Sequence, residues 1–274
     1  MTTLKKLPAT GWVGLVLVSL TVACALLALV WTPHDPLSAY PHNRLAGPSA
    51  QHLLGTDRFG RDVASRLMAG AQITLSVGII AVALAASFGV PLGILAGMRR
   101  GWADALVMRG ADLLLAFPGL LLAIIAGAVW GASTWTAMVA IGIGGIASFA
   151  RVARAGTLQV MSQDYIAAAR ISKVHPLVIA WRHVLPNIGG MVIVQASVYF
   201  ALAILAEAGL SYLGLGTAPP HASWGRMLHD AQTLLGTQPL LALWPGLAIA
   251  GTVLGFNLLG DGLRDVLDPR GATR

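Results

Sequence analysis

Six apolar runs, each close to the length that crosses a bilayer, dominate this chain: residues 10–31, 71–98, 112–130, 133–150, 188–207 and 240–259. A spanning helix needs about 20 mostly apolar residues. Within hydrocarbon the backbone must satisfy its own hydrogen bonds, so such runs become helices. The expected fold is therefore an all-α polytopic membrane protein with about six transmembrane helices, one domain over 1–274. Only 11% of the residues are charged, against about 25% in a soluble domain. The first run, behind Lys5 and Lys6, also has the look of a secretory signal. It is long for an apolar core of about 7–15 residues and no clear small-x-small cleavage site follows, so a retained helix is expected.

Six spans place both termini on one side. With that side cytoplasmic, thirteen of the 18 lysines and arginines lie inside. Arg44, Arg58, Arg61, Arg66 and Arg226 lie outside. The bias sets the orientation. It also accounts for the net charge of +7 without a nucleic acid partner. Residues 32–70 and 208–238 become outer loops, and 151–187 becomes a cytoplasmic loop between the fourth and fifth spans.

That cytoplasmic loop carries the densest local signals. Ser162 is a candidate helix start, because its hydroxyl can accept a free backbone N–H. Ala167, Ala168 and Ala169 favour helix and carry almost no bulk. Pro176, after His175, suits the first position of a second short helix, and Pro186 marks entry to the next apolar run. The expectation is a compact helix-turn-helix against the membrane face.

The chain has no GxxxxGK[ST] phosphate loop and no HExxH or GxSxG pattern, and no catalytic constellation emerges. Energy for any work must come from a partner or an ion gradient. Ionisable residues near spans are functional candidates by default, which singles out Asp112 and Glu207, the sole glutamate, as pathway candidates. Asp112 is better suited to a helix N-terminus at the membrane interface, and Glu207, at the outer end of the fifth span, equally suits contact with outside water. Asp261, Arg264, Asp265 and Asp268 have the spacing of helical ion pairs. His34, His42, His52, His221 and His229 fall in the outer loops but lack i, i+4 spacing, so no metal site is expected. Trp31, Trp130, Trp135, Tyr212 and Trp244 lie near span ends, as in an aromatic belt. Cys24, the only cysteine, excludes an internal disulfide.

Three blocks together resemble one family along nearly the whole chain. The first is His52-Leu-Leu-Gly-Thr-Asp-Arg-Phe-Gly-Arg-Asp-Val-Ala-Ser-Arg-Leu67, similar to an LGTDxxGRDxxSR segment. The second is Tyr165–Asn187, similar to the "EAA" coupling motif and including Arg-His-x-Leu-Pro-Asn at its end. The third is Glu207–Gly216, followed by Ser223-Trp-Gly, Trp244-Pro-Gly-Leu-Ala and Asn257–Pro269. The chain looks like the smaller, C-type permease of a dipeptide/oligopeptide/nickel-class ABC importer. Ala167 stands where the motif's acidic residue often falls, and Lys173 where its glycine falls. A left-handed backbone at Lys173 would cost about 1 kcal/mol relative to glycine.

The resemblance implies a coupling helix made by Tyr165, Ala167, Ala168, Ala169, Arg170, Lys173, Arg182, His183, Leu185 and Pro186. It implies a second related permease, two cytoplasmic ATPase subunits that carry ATP and Mg2+, an external solute-binding protein and surrounding lipid. No cofactor is expected in this chain. Asp57, Arg61, Asp62 and Trp224 are candidates for contact with the binding protein or for a gate. The location implied is the bacterial inner membrane. Peptides are the first substrate expectation, and nickel or a metal chelate the alternative. An ion-driven transporter would predict paired mid-membrane acids and inverted repeats, and neither is evident. A membrane scaffold without transport is the remaining rival. Co-purification with an ATPase pair and a second permease would separate the three.

Overall fold

The computed structural model describes residues 7–267. Helix α1 covers Ala9–Leu27, α2 Val63–Arg99, α3 Gly101–Ala116, α4 Gly119–Trp130 and α5 Thr134–Met161. Next come α6, Asp164–Ile171, and α7, Pro176–Val178, in the stretch expected to be cytoplasmic. A π-helical segment, Ile179–Val184, leads directly into α8, Leu185–Tyr212. Helix α9, Trp224–Ala231, lies in the loop expected to face outward, and α10, Leu240–Leu267, closes the described chain. Among the described residues there are no strands, only one isolated bridge between Thr56 and Asp62.

Several boundaries differ from the hydropathy reading, each for a physical reason. The second span starts at Val63, not 71, because Asp62 caps it by accepting from the Ser65 N–H at 2.8 Å. At 37 residues and about 1.5 Å per residue, α2 is longer than the hydrocarbon core is thick. The third apolar run is not one helix. It is split at Phe117-Pro118, and α3 and α4 meet at 81°. Pro118 has no N–H to continue α3, and the residue before a proline is pushed out of helical geometry. Counting this bent pair as one span gives six, and otherwise five. The fourth run does not stop at Ala150. Helix α5 continues past Arg151 and Arg154 to Met161, since charge at a membrane surface ends a hydropathy window but not a hydrogen-bond ladder. Arg154 meets Asp104 of α3 through two nitrogens, one at 2.6 Å.

The centre is α2 against α5, with α8 laid across both. Ridges can approach this closely because a stripe of small residues removes side-chain bulk. A β-carbon on Gly93 would lie 2.3 Å from the Ala150 carbonyl, and one on Gly89 2.5 Å from that of Ile146. Helices α1 and α10 form a second pair, also at a glycine contact, where Gly14 meets Leu259. Phe200 of α8 stacks on Phe256 of α10 at 4.1 Å between centroids and joins the two groups.

The charged cap anticipated after the last span is not formed among the described residues. Asp261, Arg264 and Asp265 are exposed and make no ion pair there, and Asp268 lies outside the described residues.

Candidate functional site: a cytoplasmic lever and an outer charged lobe

Local chemistry shapes the cytoplasmic stretch. Ser162 does not start α6. It ends α5, and its hydroxyl donates back to the Gln159 carbonyl at 2.8 Å. Gln163 takes the N-cap position instead. Helix α6 closes in a Schellman turn. Lys173 N–H donates to Arg170 O at 2.9 Å and Val174 N–H to Ala169 O at 3.1 Å. Lys173 holds the left-handed position at φ +55°, where glycine is usual. The strain foreseen for this lysine is therefore present.

His175 caps the start of α7 through Nδ1, which accepts from Leu177 N–H. The second helix is not a separate short one, however. It runs through the π segment into α8. Pro186 supplies a reason: it offers no N–H and crowds the carbonyl four residues back. A π turn, with Leu185 N–H reaching Ala180 O, absorbs the mismatch. Such turns occur often at functional sites.

The stretch is pinned by apolar anchors. Ile166, Ile179, Val184 and Ile188 are buried in one cluster with Phe149, Ala153 and Val160 of α5 and Val90 and Ile94 of α2. A displacement of α6 would therefore be transmitted to both central helices. Of the expected coupling residues, Tyr165, Ala167, Ala168, Arg170, Lys173, Arg182 and Pro186 are exposed, while Ala169, His183 and Leu185 are half-buried. Tyr165 and His183 approach each other at 6.1 Å between ring centroids.

The sequence reading passed over Ile171, Leu177 and Trp181. They are 83%, 73% and 75% exposed on this same surface. Leu177 and Trp181 also line a cleft of about 810 Å³ with Pro91, Leu95, Met98 and Arg170. The available signal was bulky apolar residues inside an otherwise basic stretch. Clustered apolar exposure on this scale marks a surface that meets something else.

The outer lobe is built in the opposite way. Asp57 accepts from Arg61 Nε at 2.7 Å and from the N–H groups of Phe59 and Arg61, and Arg66 Nε lies 3.5 Å away. Asp230 of α9 meets Arg58 at 3.0 Å and Arg226 at 3.2 Å. Four of the five arginines that depart from the cytoplasmic bias are thus paired here. Arg66 is 2% exposed and also donates towards Pro36 O and Pro220 O. Gly60, at φ +79°, lets the turn pass Tyr40, whose carbonyl would sit 1.9 Å from any β-carbon.

Arg61, Asp62 and Trp224 are buried, and Asp57 is largely covered. In this conformation they hold the lobe together rather than present themselves to a partner. Trp224 donates its indole N–H to Leu67 O at 2.9 Å, fixing α9 to α2. His52 Nδ1 and His34 Nδ1 lie 2.9 and 3.7 Å from Asp62 Oδ1. Two of the supposedly scattered histidines therefore converge on one carboxylate. Burial alone would push the Asp62 carboxyl up. Hydrogen bonds from the Ser65 N–H and hydroxyl and from His52, with His34 nearby, outweigh it and hold the group below the usual carboxylate range.

The two pathway candidates have different surroundings. Asp112 is exposed and pairs with Arg151 at 2.6 Å. Glu207 is buried. Its Oε1 accepts from Ser211 Oγ at 2.6 Å, and Ser211 Oγ accepts from Thr217 N–H at 2.9 Å. Thr134 of α5 donates to Thr217 Oγ1. Glu207 thus ties the outer end of α8 to the following turn and to α5.

The fold defines a multi-span, helical membrane protein. Residues 89–272 match the family pattern of the binding-protein-dependent transport system inner membrane component, and the chain belongs to that family. The dipeptide transport system permease protein DppC of Alkalihalophilus pseudofirmus is 42% identical over 94% of this chain and 85% of its own length. The glutathione transport system permease protein GsiD of Pectobacterium atrosepticum is 43% identical over 92% of this chain and 84% of its own. Its counterpart in Escherichia coli O6:K15:H31 has the same identity and coverage. In structure, a chain of the MetNI methionine ABC transporter, inward-facing, superposes with TM-score 0.59. The superposition covers 76% of this chain and 96% of that one at 18% identity, a likeness of fold. This chain is the permease component of a binding-protein-dependent ABC importer, placed in the bacterial inner membrane.

Proposed function

We propose that this chain forms half of a membrane pathway for di- and oligopeptides, driven by ATP hydrolysis on separate subunits. The relatives named for dipeptide and glutathione transport support a small-peptide substrate. One observation supports the coupling role above others. Helix α6 exposes Ala168 and Ile171 while Ile166 anchors it to α5. A groove on an ATPase that grips the exposed face would move α2, α5 and α8 through buried contacts. Small side chains at Ala167 and Ala168 allow close approach. Arg170, Lys173 and Arg182 add pairing with acidic rims, each worth about 0–1 kcal/mol because they are exposed.

The partners in this reading are a second related permease, two cytoplasmic ATPase subunits holding ATP and Mg2+, and an outer solute-binding protein. ATP-driven closure of the ATPase pair would tilt the spans and switch access from outside to inside. Ala168→Glu should abolish ATP-driven peptide uptake in proteoliposomes of the complete importer while the chain still inserts. Substrate-stimulated ATPase activity equal to that of the parent would contradict the coupling role.

A further inference from the structure

We propose that His34, His52 and Asp62 form a binding site for a divalent first-row transition cation of the zinc type on the outer lobe. Their ligand atoms all lie within 4.8 Å of one another. The individual separations from Asp62 Oδ1 are 2.9 Å for His52 Nδ1 and 3.7 Å for His34 Nδ1. Zinc bound at about 2.0–2.1 Å to nitrogen and oxygen ligands in tetrahedral geometry needs neighbouring ligand atoms about 3.3 Å apart. The two separations from the carboxylate oxygen bracket that spacing, and with the whole set within 4.8 Å a closure of at most about 1.5 Å between the rings would admit an ion. Two imidazoles and a carboxylate are a donor set suited to zinc and its neighbours.

Three further features point to a ligand. First, His34 Nδ1 is buried and has no hydrogen-bond partner among the described residues. It lies beside a carboxylate oxygen but too far away to bond it. Second, Asp62 is oriented for the task. Its Oδ2 is occupied by the Ser65 N–H and hydroxyl at 2.8 and 2.7 Å, which leaves Oδ1 facing the two rings. The same Ser65 hydroxyl accepts from the His34 backbone N–H at 2.9 Å, so one residue holds both ligands in place. Supporting contacts of this kind orient ligands in metal sites. Third, no arginine among the described residues pairs with Asp62. The guanidinium groups of the lobe pair with Asp57 and Asp230 instead.

Without an ion, His52 Nδ1–H donates to Asp62 Oδ1. Loading replaces that bond by coordination: the ring gives up its Nδ1 proton to solvent and takes one from solvent at Nε2, so that it ligates as a neutral imidazole. The His34 side chain is about one-third exposed although its Nδ1 is covered, so an ion enters as that ring turns. An ion there would brace three separate pieces of the lobe: the segment after α1, the loop carrying His52, and the first turn of α2.

The test uses the full-length chain in detergent, carrying an affinity tag without histidine and stripped with a chelator. Titration with Co2+ should give one equivalent bound, with the visible absorption of a four-coordinate site, and Zn2+ should displace it. His34→Ala and His52→Ala should each weaken binding at least about 10-fold, the lower range for loss of even a supporting contact. His42→Ala, on the same outer loop, should leave it unchanged. Zn2+ should raise the melting temperature of the parent but not of the His34→Ala protein, which separates ligation from misfolding. No binding at 100 μM metal, on the order of a weak site, would overturn the proposal. So would a cobalt spectrum that persists in both histidine variants.

Discussion

The two faces of this permease handle polarity in opposite ways. The outer lobe folds its charges inward: Asp57 and Asp230 hold Arg58, Arg61, Arg66 and Arg226 in one network roofed by loops. The opposite face turns its apolar residues outward, with Ile171, Leu177 and Trp181 exposed beside Arg170, Lys173 and Arg182. A surface that satisfies itself needs no partner to be stable. A surface that leaves bulky apolar groups exposed is complete only when something covers it. The contrast separates a lobe that is closed on itself from a face left open.

The largest effect should follow from opening the outer network. Asp57→Asn strips the nearest carboxylate from Arg61 and from buried Arg66. Removing one partner of a buried pair typically costs about 3–5 kcal/mol. Thermal unfolding in detergent should show a loss on that scale, and a change below about 1 kcal/mol would mean the lobe is solvated like an ordinary surface.

On the cytoplasmic side, Lys173→Gly relieves a left-handed lysine. It should stabilise the α6 turn by about 1 kcal/mol, visible as slower hydrogen exchange at the Lys173 and Val174 amides. Faster exchange would show that the side chain, not the backbone, governs the turn. The smallest effect on the isolated chain belongs to Ile171→Ser, within about 0.5 kcal/mol because the side chain touches little. The same change should nevertheless reduce retention of ATPase subunits on the purified permease. Unaltered retention would place Ile171 outside the docking surface.

Much of the architecture was legible because hydropathy is local. A run of twenty apolar residues announces a helix wherever it lies, and Pro176 and Lys173 announced their turn by position. What escaped depends on competition or on distance. Ser162 has the chemistry of an N-cap, but its hydroxyl is spent on the Gln159 carbonyl, so α5 ends there and Gln163 takes the role. Arg151 and Arg154 end an apolar window, yet the α5 hydrogen-bond ladder continues past them, and Asp112 and Asp104, dozens of residues earlier, pair with them. Pro118 lay inside an apolar run whose average concealed a sharp bend. His34, His52 and Asp62 are separated by 18 and 10 positions and obey no helical spacing. Only the folding of the outer loop onto the start of α2 brings them together.

The coupling role of α6 is tested most directly by proximity. With Cys24→Ser removing the sole native thiol, Ala168→Cys supplies a single reactive site on the exposed face of α6. The assembled importer should cross-link at that position to an ATPase subunit bearing a cysteine in its permease-facing groove, with an efficiency that changes between nucleotide-free and ATP-bound states. Absence of any cross-link to the ATPase in either state, in a complex that still transports, would contradict the account.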